Sequence, residues 1–551
     1  MHLTRLLATA LVLSTPLVLS SCGGDDKPAA ALRVSSSGEI TLPANGTWLR
    51  ELDTPDVLGT SFTVFAFSPR DEGQRIDARR FDRSRGAWGA WETVGDPPSN
   101  WSVDAPSTRA MQDGSILLTW VETHLDSNRI ALRSRRWNPS SRLWETALVA
   151  DTGTAELGAT TLVARPGGEA VALWTRRRTS DGATELVWSS LAANATQWTP
   201  AQTLIAASTA LGVIQVSAGD GNVAVAWVET ASGVPPIRGA QPSILRLIRL
   251  SATASTWSDP AVLTETGRST DRFTLRELAS TGAVLWTDFS ALEACLKTTV
   301  TTETTVLTQA LQCAPGDSTV TGGMALHPFG VGGATAVWIE DSQPWFSTVP
   351  AEQTTWSTPL QVTNDKLDRW TVADGNAGPV LTGVGEATVG QVLEQQRSTG
   401  AWASLSRLQF ASANSRFTEL VAHRGGTALM WIDATDSASI LRASADIGRA
   451  NATELGRRSG ATVLSAAAAN AAGRLAVTSN TALGSDTAGV YMDLHSGRGG
   501  SWGKRVRLGD DAQVNRIDAP VWLGADGQVL MTWWWQSGSV ATATRRWAWA
   551  R

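Results

Sequence analysis

The chain has 551 residues, 42% hydrophobic and 18% charged, with 50 glycines and 26 tryptophans against one tyrosine. Its formal charge of −5 lacks the basic footprint of a general nucleic-acid binder, so no nucleic acid is expected as a partner. Abundant glycine and tryptophan point to many short strands joined by tight turns, and repetition lets one closed array absorb a length that would otherwise fill several domains.

The N-terminus reads as an export leader. Arg5 supplies the positive start, Leu6 to Leu19 is an apolar run, and small Ser20 and Ser21 follow. The run is too short for a permanent membrane span, and no later segment is apolar enough for one. Leu19-Ser20-Ser21-Cys22 resembles the bacterial lipobox, whose cysteine is lipidated and becomes the mature N-terminus. The resemblance implies a signal peptide over 1–21 and a lipid on Cys22. An Asp directly after that cysteine would favour inner-membrane retention. Gly23 stands there, so the resemblance implies an outer-membrane anchor, with a periplasmic or surface-facing body. Gly23-Gly24-Asp25-Asp26 opens a flexible tether over 22–37, leaving 38–551 as the repeat domain.

From about residue 60 a unit recurs in which glycine precedes an apolar run ending in tryptophan. Gly114 leads to Trp120, Gly168 to Trp174, Gly221 to Trp227, Gly282 to Trp286, Gly333 to Trp338, Gly426 to Trp431 and Gly527 to Trp533. Gly378 to Gly383 and Gly473 to Thr478 fill the two double-length gaps, and Phe62 to Phe67 lies one period upstream. The total is about ten units of roughly 50 residues, a propeller-blade period. Asp-Gly and Gly-Gly pairs suit hairpin turns, and the near-continuous apolar runs suit strands buried on both faces. Helical periodicity is weak. The most helix-like stretch, Leu464 to Asn470, lies inside the repeat pattern.

Each unit then carries a turn-rich segment leading to a second tryptophan, often followed by proline: Trp198 with Pro200, Trp257 with Pro260, Trp356 with Pro359. Looser copies hold Trp91, Trp144, Trp402 and Trp502. A unit thus offers four strands, the blade of an all-β propeller. Ser251-Ala-Thr-Ala-Ser-Thr-Trp257 resembles the Asp-box of sialidase-like propellers in its outer frame, without the Asp and Gly of the box. The last unit ends after three strands near Arg551. Gly46-Thr-Trp48-Leu-Arg50 resembles the missing fourth, so one closed ring is expected, with a smaller ring or two rings as alternatives.

Cys295 and Cys313 flank a turn near Glu303 in one unit, and an exported compartment permits disulfides, so they are expected to pair. The repeated tryptophans read as core fillers between blades. Trp533-Trp534-Trp535 cannot all face one way, so Trp534 and Trp535 are candidates for stacking on a ligand. Trp547 and Trp549 share one face of the last strand and carry the same expectation. Arg272, Arg369, Arg416 and Arg516 each open a first strand, the strand that lines a propeller's channel. They are candidates for an anion-binding ring at its mouth, against local pairing with Asp271 and Asp368.

Catalytic signals are sparse. Sialidases use three arginines, a tyrosine paired with glutamate, and an acid/base aspartate. Tyr491 stands alone here without an assignable glutamate. No nucleophile elbow, nucleotide loop or EF-hand appears. His124, His327, His423 and His495 lack metal-ligand spacing, and the Asp433/Asp436 pair suits a solvated turn. No metal or cofactor is expected. The sequence favours a lipid-anchored binding or scaffold propeller for a glycan or envelope protein. The alternatives are a polysaccharide hydrolase or lyase with its site at the propeller centre, and a purely structural envelope component.

Overall fold

The computed structural model describes residues 33–551 except for short breaks, the longest at 231–241, 316–322 and 536–543. The leader and Cys22 lie outside the described residues. The fold is all-β, and ten antiparallel sheets form a ten-bladed propeller. In chain order the first nine blades span 47–95, 101–153, 156–208, 211–262, 273–315, 324–361, 367–409, 416–458 and 465–509. Blade 10 takes its first three strand positions from 514–550, the first split into Val514–Ile517 and Val521–Leu523, and its outer strand, Val34–Ile40, from the N-terminal side. Among the described residues no helix is long and apolar enough to cross a membrane.

The ring closes as expected, but through a different segment. Val34–Ile40 pairs antiparallel with Thr544–Ala550, while Thr47–Trp48 is the first strand of blade 1. Residues 34–37, assigned from sequence to the tether, are therefore part of the propeller. Closure supplies the outer strand of blade 10 from the other end of the chain and covers the edge of Thr544–Ala550. The helix-like stretch contains a strand, Ser465–Ala469, which pairs with Leu475–Ser479 and packs Ala466 toward blade 10 and Ala467 toward blade 8.

The hairpins are set by local chemistry. Gly219 pairs with Asn222, and Asp220 and Gly221 between them both take positive φ (50° and 84°), as a type I′ turn requires. A Cβ on Gly221 would also lie 2.3 Å from Pro166 of the preceding blade. Blade 5 is stapled by the Cys295–Cys313 disulfide, which joins direct register partners on its third and fourth strands.

The core is divided into ten clusters, one at each junction of neighbouring blades, including the junction of blade 10 with blade 1. Side chains alternate along each second strand. In blade 4, Val223, Val225 and Trp227 face blade 3, and Ala224 and Ala226 face blade 5. Trp120, Trp174, Trp227, Trp286, Trp338, Trp431 and Trp533 all face the preceding blade and are buried. In two blades without that tryptophan, the first strand supplies the ring: Trp48 stands opposite Ala66, and Trp370 opposite Gly383. In blade 9 the position is Ser479, reached by Arg505, whose guanidinium lies 4.3 Å from the centre of the Tyr491 ring.

The buried indole N–H groups need acceptors, and several blades answer alike. Trp120 donates to Glu122 at 3.1 Å, and Arg133, its register partner, pairs with the same carboxylate. Trp227, Glu229 and Arg246 repeat the arrangement. Trp174 and Arg176 instead share Asp151 of blade 2, which ties two blades together. The signal was present in the sequence as Trp-Val-Glu-Thr at 120–123 and 227–230, each with an arginine on the following strand.

Candidate functional site

The first strands of successive blades lie side by side and are linked by side chains. Gln215 of blade 4 donates to the Phe273 carbonyl at 2.8 Å and accepts from the Leu275 N–H at 3.1 Å. Thr54 and Thr108 meet at 2.9 Å between blades 1 and 2. The Ala467 N–H of blade 9 donates to the Glu419 carboxylate of blade 8. Burial nevertheless pushes the Glu419 carboxyl up to about 7.

Arg272, Arg369, Arg416 and Arg516 stand at one level of this inner wall. Each lies opposite the residue that follows the blade's tryptophan position: Thr287, Val384, Ile432 and Trp534. All four side chains are exposed. Arg272 directly precedes the first strand of blade 5, Arg416 begins that of blade 8, and Arg369 and Arg516 are third in those of blades 7 and 10, so all four lie toward the same end of the inner strands. In blade 2 the same level carries Asp104, and in blade 6 Gly323. Arg369 donates at 2.8 Å to the Ala413 carbonyl in the loop entering blade 8, and Arg516 pairs with Asp518 at 3.3 Å. Asp271 lies outside the described residues.

At the far end of the first strands a second polar group links blades 5, 6 and 7. Asp374 accepts from Arg276 at 2.6 Å and meets His327 Nδ1 at 2.8 Å. Both contacts hold the Asp374 carboxyl below its ordinary range, that with His327 first. His327 is buried, and its Nε2 has no partner among the described residues. Sequence reading passed over this group because its members lie 47 to 98 residues apart.

Three of the tryptophan candidates, Trp534, Trp547 and Trp549, are buried and are corrected. Trp534 is 0% exposed, its N–H donates to Asp518, and its ring meets Trp48 edge-on, so no face remains for a ligand. Trp535 is half-buried with the Arg546 guanidinium 4.8 Å from its ring centre. Trp547 and Trp549 are buried against blade 1. The cause is closure: Trp534, Trp547 and Trp549 lie at the seam that the N-terminal segment seals.

The remaining candidates have structural partners. Tyr491 is buried, and its hydroxyl donates to the Thr487 carbonyl. His423 meets the Ala445 carbonyl at 2.7 Å, and His495 and His124 pack edge-on against Trp502 and Trp101. Asp433 accepts from the Ala411 N–H and the Ser415 hydroxyl, and so ties down the loop entering blade 8.

No protein-family model matches the chain, nor does any curated protein. Among solved structures it is similar to the polysaccharide lyase Uly1, at 9% identity and a TM-score of 0.32 over 63% of this chain and 87% of that one. The Dos1 propeller matches at 11% and 0.34 over 86% and 97%. An alpha-L-arabinanase from Penicillium chrysogenum matches at 12% and 0.28 over 60% and 98%. Glycan-active proteins thus stand among its neighbours, and at these TM-scores the likeness carries no argument about this chain.

Proposed function

We propose that this protein is a cell-envelope binding propeller, held at the outer membrane by a lipid on Cys22, whose channel mouth takes an anionic group of a glycan or envelope protein. The observation that carries the reading is the common level of Arg272, Arg369, Arg416 and Arg516 on four first strands. A guanidinium stays charged at every physiological pH and matches carboxylate or sulfate with two parallel hydrogen bonds. Several of them on one rim favour a ligand with repeated negative charge.

The test is binding of an acidic polysaccharide at low salt to the protein and to the double variant Arg272→Glu/Arg369→Glu. At least a tenfold loss with an unchanged melting temperature is expected. Equal binding by the variant rejects the mouth.

One observation favours a second reading, a polysaccharide hydrolase or lyase. Glu419 lies three residues beyond Arg416 on the same strand, and at about 7 its carboxyl keeps a proton near neutrality, as a general acid must. Shortening of an acidic polysaccharide by the protein, lost in Glu419→Gln, would establish that reading. Binding without cleavage leaves the first.

A further inference from the structure

A cleft of about 740 Å³ opens where blade 1 meets blades 2 and 10. Its lining comes from starts of second strands (Ser61, Gln528), the end of a third strand (Arg80) and the start of a fourth (Trp88). In an antiparallel blade those ends lie on the face opposite the starts of the first strands, so the cleft and the arginine mouth are on opposite faces.

Five arginines line the cleft against two carboxylates, Asp82 and Glu92, in a chain whose overall charge is −5. The field there is therefore local and positive, and cleft walls of low dielectric concentrate it. Three guanidinium groups are held in place, and contacts join them across three blades. Arg80 lies over the Trp137 ring of blade 2, 3.8 Å from its centre, and donates to Thr63 at 3.0 Å. Its carboxylate neighbour Asp56 is 3.9 Å away. Arg83 donates across the closing seam to Gln528 of blade 10 at 2.9 Å. Arg142 reaches over from blade 2 to Asp82 at 3.4 Å. Half-buried Trp88 adds an aromatic wall.

We propose that this cleft is a second binding site, for a short stretch of acidic saccharide bearing carboxylate or sulfate groups. The volume falls within the range of small-molecule sites and suits a few sugar units. Guanidinium forks match the acidic groups, and indole surface matches the apolar face of a sugar ring. A protein surface would need a broader contact, and a duplex nucleic acid would need a longer basic track than one cleft supplies.

Titration calorimetry at low salt tests this on the whole chain from Lys27 onward. The probes are a uronic-acid tetrasaccharide, a sulfated disaccharide, a neutral tetrasaccharide, inorganic sulfate and a short oligonucleotide. At least one acidic saccharide is expected to bind. Its affinity is expected to fall tenfold or more in Arg83→Glu/Arg142→Glu and in the milder Arg83→Gln/Arg142→Gln, which guards against misfolding. All of these measurements are made in the Arg272→Glu/Arg369→Glu background, which removes the channel-mouth site, so the binding that remains reports on the cleft. The proposal is overturned if neither acidic saccharide binds in that background, or if the cleft variants bind as tightly as the background does. It is also overturned if sulfate or the oligonucleotide binds as tightly as the acidic saccharide.

Discussion

Arg545 on the third strand of blade 10 meets Asp53 of blade 1 at 2.5 Å, across the seam where the two ends of the chain close the ring. The same guanidinium nitrogen meets Asp518 at 3.2 Å and the Thr532 hydroxyl at 3.0 Å, with the rings of Trp48 and Trp534 close by. Arg545 is 1% exposed, so its charge is compensated by these partners rather than by water. Replacing Arg545 with Met strands two carboxylates. It is expected to cost about 3–5 kcal/mol in denaturant unfolding, the usual cost of breaking a buried pair from one side. Adding Asp53→Asn and Asp518→Asn to that variant should recover part of the loss. No recovery would mean that Arg545 acts by packing alone.

A pH dependence follows from Asp493. Burial pushes its carboxyl up to about 7, against the pull of Arg505, whose Nε lies 3.9 Å away. Its Oδ2 has no hydrogen-bond partner among the described residues. The folded state thus holds a proton over a range where the unfolded chain, near 3.8, has released it. The stabilisation is fully present below about 4 and is lost as pH rises through about 7. Melting temperature should therefore fall from pH 5 to pH 8. Asp493→Asn should flatten that slope and gain on the order of 1–3 kcal/mol at pH 8. A slope unchanged in the variant assigns the effect to other groups.

Trp286 is 0% exposed in the junction of blades 4 and 5, and Trp286→Ala should cost about 3–5 kcal/mol, as large-to-small changes in packed cores do. Because each blade leans on its neighbours, the loss should appear in the unfolding of the whole ring, measured by both tryptophan fluorescence and circular dichroism. The blade count and the role of this tryptophan were legible because one local pattern repeats. The compensations were not. Nothing near Gly383 or Ala66 announces that Trp370 and Trp48 stand opposite them on the first strand, or that Leu367 packs onto Gly383, since only register and packing reveal it. The shared level of Arg272, Arg369, Arg416 and Arg516 follows from the same repeat, since each lies opposite the residue after the tryptophan position of its blade. The cleft at blades 10, 1 and 2 was not, because ring closure brings Gln528 to Arg83, 445 residues away.

The disulfide should matter locally. Cys295 and Cys313 close a separation of 18 residues within one hairpin whose strands already pair along their length. A loop of about 15 residues corresponds to about 3 kcal/mol of lost chain entropy, and here the hairpin recovers part of that. Cys295→Ser/Cys313→Ser should lower stability by about 1–3 kcal/mol, leave the circular dichroism of the folded protein unchanged, and abolish the difference between reduced and oxidised samples. A persistent redox effect on melting in the double variant would place its origin elsewhere.

The strand Val34–Ile40 is the last test of how the ring is held. It pairs with Thr544–Ala550 from Val34 to Ile40, Glu39 bonds Arg546 at 2.9 Å, and Arg33 and Arg551 exchange backbone hydrogen bonds beyond its end. Ile40 is buried with Trp547 and Trp549 in the seam core. A chain beginning at Thr41 would keep Arg545 and Asp53 but bare the edge of the last strand, and an unpaired edge recruits other chains. Such a chain should elute as dimers or larger species in size-exclusion chromatography, and melt at a lower temperature. Adding the peptide 33–40 in excess should return the monomer, because the peptide restores the same backbone pairing without covalent closure. If the truncated chain stays monomeric with an unchanged melting temperature, the ion pair and aromatic packing at the seam are sufficient to close the ring without the N-terminal strand.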